Sequence, residues 1–292
     1  MSNITAQMVK ELRDRTGAGM MECKKALIES KGNMDNAIEA MRKAGQAKAD
    51  KKSTRVAAEG VINLSIKDNN TVNMVEINCE TDFVAKDENF LEFANTISKL
   101  SLESYDGNLE DFNKSEHPTG KTVEEIRLEL ISKVGENVKI RRIRSINAKD
   151  AYMGHYMHGS KICVVVILEK ENNELAKDIC MHIAAMKPMA LNPDDISKEN
   201  IEKEREIYEA QAQDSGKPEN IIEKMVDGKI KKYISEVTLV SQSFVKDNDI
   251  TIKNLLEKHD NNILSFYRME VGEGIEKKDE NFADEVMAQI KK

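Results

Sequence analysis

Between residues 75 and 100 the spacing of apolar side chains changes period, and that change fixes the local architecture. Val75, Ile77 and Cys79 alternate with Glu76, Asn78 and Glu80, the period-2 pattern of a half-buried strand. From Phe90 onward Leu91, Ala94, Ile97 and Leu100 recur at helical spacing. Asp87 is suited to cap that helix, and Glu88 favours the positive end of its dipole. Residues 81–86 therefore form the tip between a strand end and a helix start. Asp82 and Phe83 lie side by side there. An aromatic next to a carboxylate at such a tip suits a contact with a partner. The competing reading makes Phe83 the last core residue of the strand, and the residues alone favour it, since most such phenylalanines are buried.

The stretch Glu76-Ile77-Asn78-Cys79-Glu80-Thr81-Asp82-Phe83-Val84-Ala85-Lys86 resembles a signature of the bacterial elongation factor Ts family. A second stretch, Leu12-Arg13-Asp14-Arg15-Thr16-Gly17-Ala18-Gly19-Met20-Met21-Glu22-Cys23-Lys24-Lys25-Ala26-Leu27, resembles the family's N-terminal signature. The two occur in the family's order, and weaker similarity runs to the C-terminus. The resemblance implies a guanine-nucleotide exchange factor acting on the translational GTPase elongation factor Tu. It implies that the tip Thr81, Asp82, Phe83 and Val84 disturbs the GTPase's Mg²⁺ site. Through Tyr156-Met157-His158-Gly159 it implies that His158 contacts the partner. The family-like loop between the first two helices makes Arg13, Met20 and Met21 partner-binding candidates. Methionine adapts to irregular surfaces, and one of the two methionines is expected in the core, the other outside.

A chain of 292 residues exceeds what one core usually supports, so more than one domain is expected. The resemblance gives an α+β architecture. It has a three-helix ubiquitin-associated-like module, a core of two similar antiparallel-sheet-plus-helix subdomains, an inserted helical hairpin and a C-terminal helix. The expected divisions are 1–55 for the module with a basic linker and 56–138 for the first subdomain. The second spans 139–275, with its hairpin at about 190–230, and 276–292 is terminal.

Read in order, Thr5 caps a first helix with Met8, Val9 and Leu12 inward, ended by Gly17 and Gly19. A second helix carries Met21, Ala26 and Leu27. A third starts at Asn33, turns Ile38 and Met41 inward and ends at Gly45. Residues 42–55 are basic without an apolar stripe and read as a solvated linker, with an RNA-binding arm as the sharper alternative. Strands follow at 61–66 and 72–79 and a helix at 88–100. Residues 101–122 are polar and read as an irregular excursion, and a helix at 122–134 ends at Gly135. Further strands are expected at 138–146, 152–158 and 161–168, then a helix at 174–186, so strand, hairpin, strand and helix occur twice. Residues 195–233 read as an antiparallel helical hairpin with a narrow seam, turning at 214–218. It either self-associates, giving a homodimer, or packs on its own subdomain. Strands at 237–240 and 263–271 flank a helix at 251–259. Gly272-Glu273-Gly274 reads as a flexible joint before a last helix over 281–292.

Composition bounds the chemistry. The chain lacks Trp and has six Tyr, too few for a stacking surface for nucleic acid. Net charge is −8, distributed unevenly: residues 1–58 carry 12 Lys+Arg against 7 Asp+Glu, leaving −13 for the rest. An acidic body disfavours direct nucleic-acid binding, which rests on phosphate neutralisation. With no signal-like N-terminus and no apolar run long enough to span a bilayer, a cytoplasmic protein without membrane contact is expected. Cys23, Cys79, Cys163 and Cys180 are scattered and read as buried apolar residues.

No metal ligand set and no cofactor is expected. His155 and His158 fall on opposite faces of a strand, and Glu76, Glu80, Asp82 and Asp87 match no cation cage. Phosphate-cradling glycine motifs are missing from the sequence, so the chain is not expected to bind GTP or GDP itself. Catalytic residues are not assigned, and an enzyme is not expected. The runner-up is a non-exchanging adaptor built on the three-helix module. A third reading, a small-molecule enzyme using Cys79, lacks a nucleophile elbow and an oxyanion loop.

Overall fold

The computed structural model describes residues 4–68, 70–213 and 218–276. The turn expected at 214–218, apart from Pro218, and the helix expected over 281–292 lie outside the described residues. The α+β class is observed. The chain divides into two compact units: one gathers the chain up to Ser65, Val72–Ser145 and the chain from Glu270, and the other holds Ile66–Thr71 and Ile146–Met269.

The first unit opens with α1 (Ala6–Thr16), α2 (Met20–Glu29) and α3 (Met34–Lys52). The Thr5 hydroxyl accepts the Met8 amide, and the Asn33 side chain accepts that of Asn36, each satisfying an amide with no partner inside its helix. Gly17, at φ 67°, ends α1 and returns its N–H to the Arg13 carbonyl. Val9, Leu12, Cys23, Ala26, Leu27 and Ala37 form a small core.

The third helix corrects two expectations. It neither stops at Gly45 nor gives way to a linker over 42–55, but runs to Lys52. A glycine inside a helix costs about 1 kcal/mol relative to alanine, and packing offsets it. Ala49 is buried in the main core of this unit. A Cβ added at Gly45 would sit 3.5 Å from the Ser132 hydroxyl. The packing face is built from Gly and Ala, so it shows no apolar stripe in the sequence.

A three-stranded sheet follows, in the order β1 (Glu59–Lys67), β2 (Thr71–Cys79), β3 (Lys139–Asn147). The sequence placed the third of these with the later strands; it pairs with β2 instead. As the central strand, β2 is buried along nearly its whole length, not half-buried. The alternate face that reads as solvent-facing holds Glu76 and Asn78, both buried.

Helices α4 (Glu88–Ser104), α5 (Leu109–Lys114) and α6 (Val123–Val134) complete the unit. The excursion at 101–122 is more ordered than its polarity suggested. Asn108 caps α5, and Phe112 is buried edge-on to Tyr105. One aromatic anchors a segment that is otherwise polar. Thr122 and Glu125 form a reciprocal capping box on α6, which ends at Gly135, φ 80°.

In the second unit β4 (Tyr152–His158) pairs antiparallel with β5 (Ile162–Leu168), His158 opposite Ile162 and Tyr152 opposite Leu168. The apolar run of β5 is buried because that strand is central, between β4 and β8 (Ile263–Glu270). Against β4 and β5 packs α7 (Asn173–Met186). A Cβ at Gly154 would stand 2.4 Å from that of Ala176, so this close approach requires glycine.

Helices α8 (Lys198–Gln213) and α9 (Glu219–Val237) form the expected hairpin. Its seam holds Ala212, Val226 and Ile230, with Ile201, Tyr208, Ile222 and Ile234 beside them. The strand expected at 237–240 is absent: α9 continues to Val237, and Leu239–Ser241 is a 3₁₀ turn. The Thr238 hydroxyl bonds back to the Ile234 carbonyl, closing the helix where a β-branched residue had suggested a strand. A short hairpin, β6 (Ser243–Phe244) with β7 (Asp247–Thr251), and α10 (Ile252–Lys258) lead to β8.

Candidate functional site: an exposed aromatic on a clamped turn

Strand β2 ends at Cys79, and the chain reverses through a 3₁₀ turn, Val84–Lys86, into α4. Asp87 caps α4 by accepting the Asn89 and Phe90 amides. The Asn89 side-chain amide and these two backbone amides outweigh partial burial and hold the Asp87 carboxyl below the usual range.

Within this turn the four tip residues diverge sharply. Phe83 is 81% exposed, so it is not the end of the core. Its backbone, φ −66° and ψ −49°, is unstrained, and strain does not force it outward. Leaving a phenylalanine in water forgoes roughly 1.5–3 kcal/mol of burial. Asp82 is also exposed, 2.7 Å from the Lys86 ammonium. Val84 is half-buried against the core of the unit, and Ala85 beneath it is buried. Thr81 faces inward to a carboxylate that the sequence did not single out.

That carboxylate is Glu136. One of its oxygens accepts the Glu80 and Thr81 amides, each at 3.0 Å, and the other accepts the Thr81 hydroxyl at 2.6 Å. The interaction is reciprocal, since Glu80 accepts the Asn137 amide at 2.6 Å. Glu136 follows the glycine that ends α6 and lies three residues before the start of β3. Only the pairing of β3 with β2 brings it to the tip, so no spacing in the sequence could have found it.

The other candidates lie elsewhere. Met20 is 55% and Met21 76% exposed, so neither is core, against the expectation of one of each. Both start α2 and stand outside the small core, which Cys23, Ala26 and Leu27 fill. Arg13 is exposed one turn before the end of α1. His158 belongs to the second unit, exposed at the end of β4, with its ring nitrogen 3.1 Å from the Tyr156 hydroxyl. His155 and His158 stand opposite Val165 and Ile162. Among the described residues no group of three or more His, Cys, Asp or Glu is placed to hold a metal ion.

The four cysteines are free and buried. Burial pushes the Cys163 thiol up to about 12 and raises that of Cys180 as well, the opposite of an activated nucleophile. The Cys79 thiol points at the Thr81 carbonyl, 3.1 Å away. No described helix is long and apolar enough to cross a membrane.

An unstrained, exposed aromatic on a turn held at its neighbours is open to contact with another protein. Comparison with known proteins gives the family. Residues 80–273 match the family model described as elongation factor TS. Elongation factor Ts of Legionella pneumophila strain Lens is 53% identical over the full length of both chains. That of Thioalkalivibrio sulfidiphilus is 56% identical over 99% of each, and that of Francisella tularensis subsp. novicida 50% over the whole of each. The chain belongs to the elongation factor Ts family, and its place is in translation elongation, as a nucleotide exchange factor.

Proposed function

We propose that the chain binds elongation factor Tu in its GDP form and promotes GDP release, with the 81–84 tip as the acting element. In a translational GTPase the phosphates of GDP sit in a backbone loop beside Mg²⁺. A protein that binds the empty GTPase more tightly than the GDP form weakens GDP by the same factor. Each tenfold of weakening needs about 1.4 kcal/mol of differential binding. Phe83 enters an apolar gap between helices of the GTPase, and Asp82 perturbs groups around the metal. Burial of one phenylalanine supplies roughly 1.5–3 kcal/mol, one or two decades. The remaining binding energy comes from Arg13, Met20 and Met21 on the N-terminal module and from His158 on the second unit. No covalent bond is made or broken in this scheme.

The observation that carries the reading is the exposure of Phe83 on a turn whose neighbours are all held. Labelled GDP should leave purified elongation factor Tu faster in the presence of catalytic amounts of this chain. An adaptor would bind without acceleration, and a small-molecule enzyme would do neither. Either result would reject the proposal.

A further inference from the structure

We propose that Glu136 is a positioning residue for nucleotide exchange: it fixes the backbone from which Phe83 projects, through a reciprocal clasp with Glu80. The inference rests on the reading of the tip given above and adds the group that sets it.

Thr81 is the keystone of the turn and is held at several points. Its amide and hydroxyl both go to Glu136. Its hydroxyl oxygen receives the Val84 amide at 3.4 Å, and its carbonyl receives the Ala85 amide at 3.2 Å. Phe83 lies between Thr81 and these two amide donors, so its direction follows from how Thr81 is held. Both oxygens of Glu136 are engaged, which fixes the rotation of the turn as well as its distance. From the other side, Glu80 receives the Asn137 amide and lies 3.6 Å from the Arg55 guanidinium. The Asn137 side chain then donates to the Arg55 carbonyl at 3.0 Å. Glu80 and Glu136 are both only partly buried. The clasp orders a surface turn in advance, so that docking does not have to order it.

The test uses the full chain carrying Glu136→Ala or Glu136→Gln, with GDP release from elongation factor Tu measured against chain concentration. Glu136→Ala should lower the maximal release rate about tenfold. The half-saturating concentration should move less than about threefold, because recruitment through α1 and α2 is untouched. Amide hydrogen exchange at residues 80 and 81 should quicken in the free chain. Glu136→Gln keeps an oxygen that accepts both amides and should restore most of the rate. A normal maximal rate in Glu136→Ala overturns the proposal, and so does failure of Glu136→Gln to restore it. In a Phe83→Ala background Glu136→Ala should add nothing; a further loss there shows that Glu136 does not act through Phe83. If Phe83→Ala alone, with Glu136 intact, releases GDP normally, the wedge reading has failed on its own account, before the clasp is judged.

Discussion

The carboxylate of Glu76 meets the guanidinium of Arg142 at 2.5 Å, with the Glu76 side chain wholly out of solvent. Arg141 approaches both oxygens, at 3.0 and 3.2 Å, and Asn78 and the Gly272 amide complete the shell at 3.1 and 2.8 Å. Gly272, at φ 73°, has no room for a side chain: an added Cβ would stand 2.3 Å from the Ala58 carbonyl oxygen. The segment expected as a flexible joint is therefore a fitted turn on the sheet.

Removing one partner from a buried charge cluster typically costs about 3–5 kcal/mol. Glu76→Ala should fall in that range in urea denaturation, and Glu76→Gln, which keeps an acceptor, should cost less. A loss below about 1 kcal/mol, the worth of a surface pair, would show that the cluster contributes little to the fold.

At the tip, Phe83→Ala should lower GDP release at least about tenfold, as truncation of a central anchor does. Its melting temperature should stay close to that of the unmodified chain, since the side chain lies in solvent. Asp82→Ala should slow release while costing less affinity, and its loss of the exposed Lys86 pair should scarcely change stability. A folded Phe83→Ala chain with normal release would remove the wedge.

Recruitment is better tested by substitution than by truncation. Removing residues 1–50 would strip α3 from α6 and take away the Arg42–Glu125 ion pair, confusing folding with binding. Met20→Ser with Met21→Ser alters only exposed side chains. Titration calorimetry with elongation factor Tu should show affinity weakened about tenfold or more, the scale of losing two apolar contacts. Unchanged affinity would exclude this surface from recruitment.

Self-association through the hairpin has a specific surface to use. Its seam is filled from within by Tyr208, Val226 and Ile230, whereas Ile207 and Ile221 are exposed. Ile207→Ser with Ile221→Ser should reduce the mass seen in sedimentation from dimer to monomer and leave GDP release intact. A monomer before any substitution would end the idea.

His182 gives the second unit a pH dependence. Its Nε2 is 3.0 Å from the Gln242 side-chain oxygen, and its Nδ1 accepts the Val245 amide at 3.2 Å. That pattern selects the neutral ring with its proton on Nε2. Burial is the main cause of its lowered pKa, against a smaller opposing effect of Gln242. The unfolded chain therefore binds the proton first on acidification. Stability from this group is fully present above the unfolded value near 6.5 and is lost as pH falls from there toward the folded value. Melting should fall between pH 7.5 and 5.5, and His182→Gln should flatten part of that slope. An unchanged slope would clear His182 of the effect.

Most of the helices were legible because their signals are local. Thr5, Asn33 and Asp87 each carry a cap that one turn of chain suffices to define. What depends on the partner of a strand was not legible. Glu76 alternates like a solvent-facing residue because its partners, Arg141 and Arg142, lie on a strand more than sixty residues away. Glu136 reaches the tip by the same pairing. The burial of Phe112 hung on a single aromatic, too little for a periodicity. Phe83 shows the converse: the residues alone favoured burial, whereas the family likeness pointed outward, where the side chain lies.

The unbroken course of α3 limits how such a chain can be rebuilt. Three residues past its end, Arg55 meets Asn137, whose amide is held by Glu80 next to Thr81. The three-helix head is spliced to the tip through a stiff rod and one polar junction. A chimera that exchanges heads between relatives would have to cut beyond residue 55 and carry a matching α6 surface. A splice placed at Gly45, where the sequence offers an obvious seam, would sever the rod in its middle.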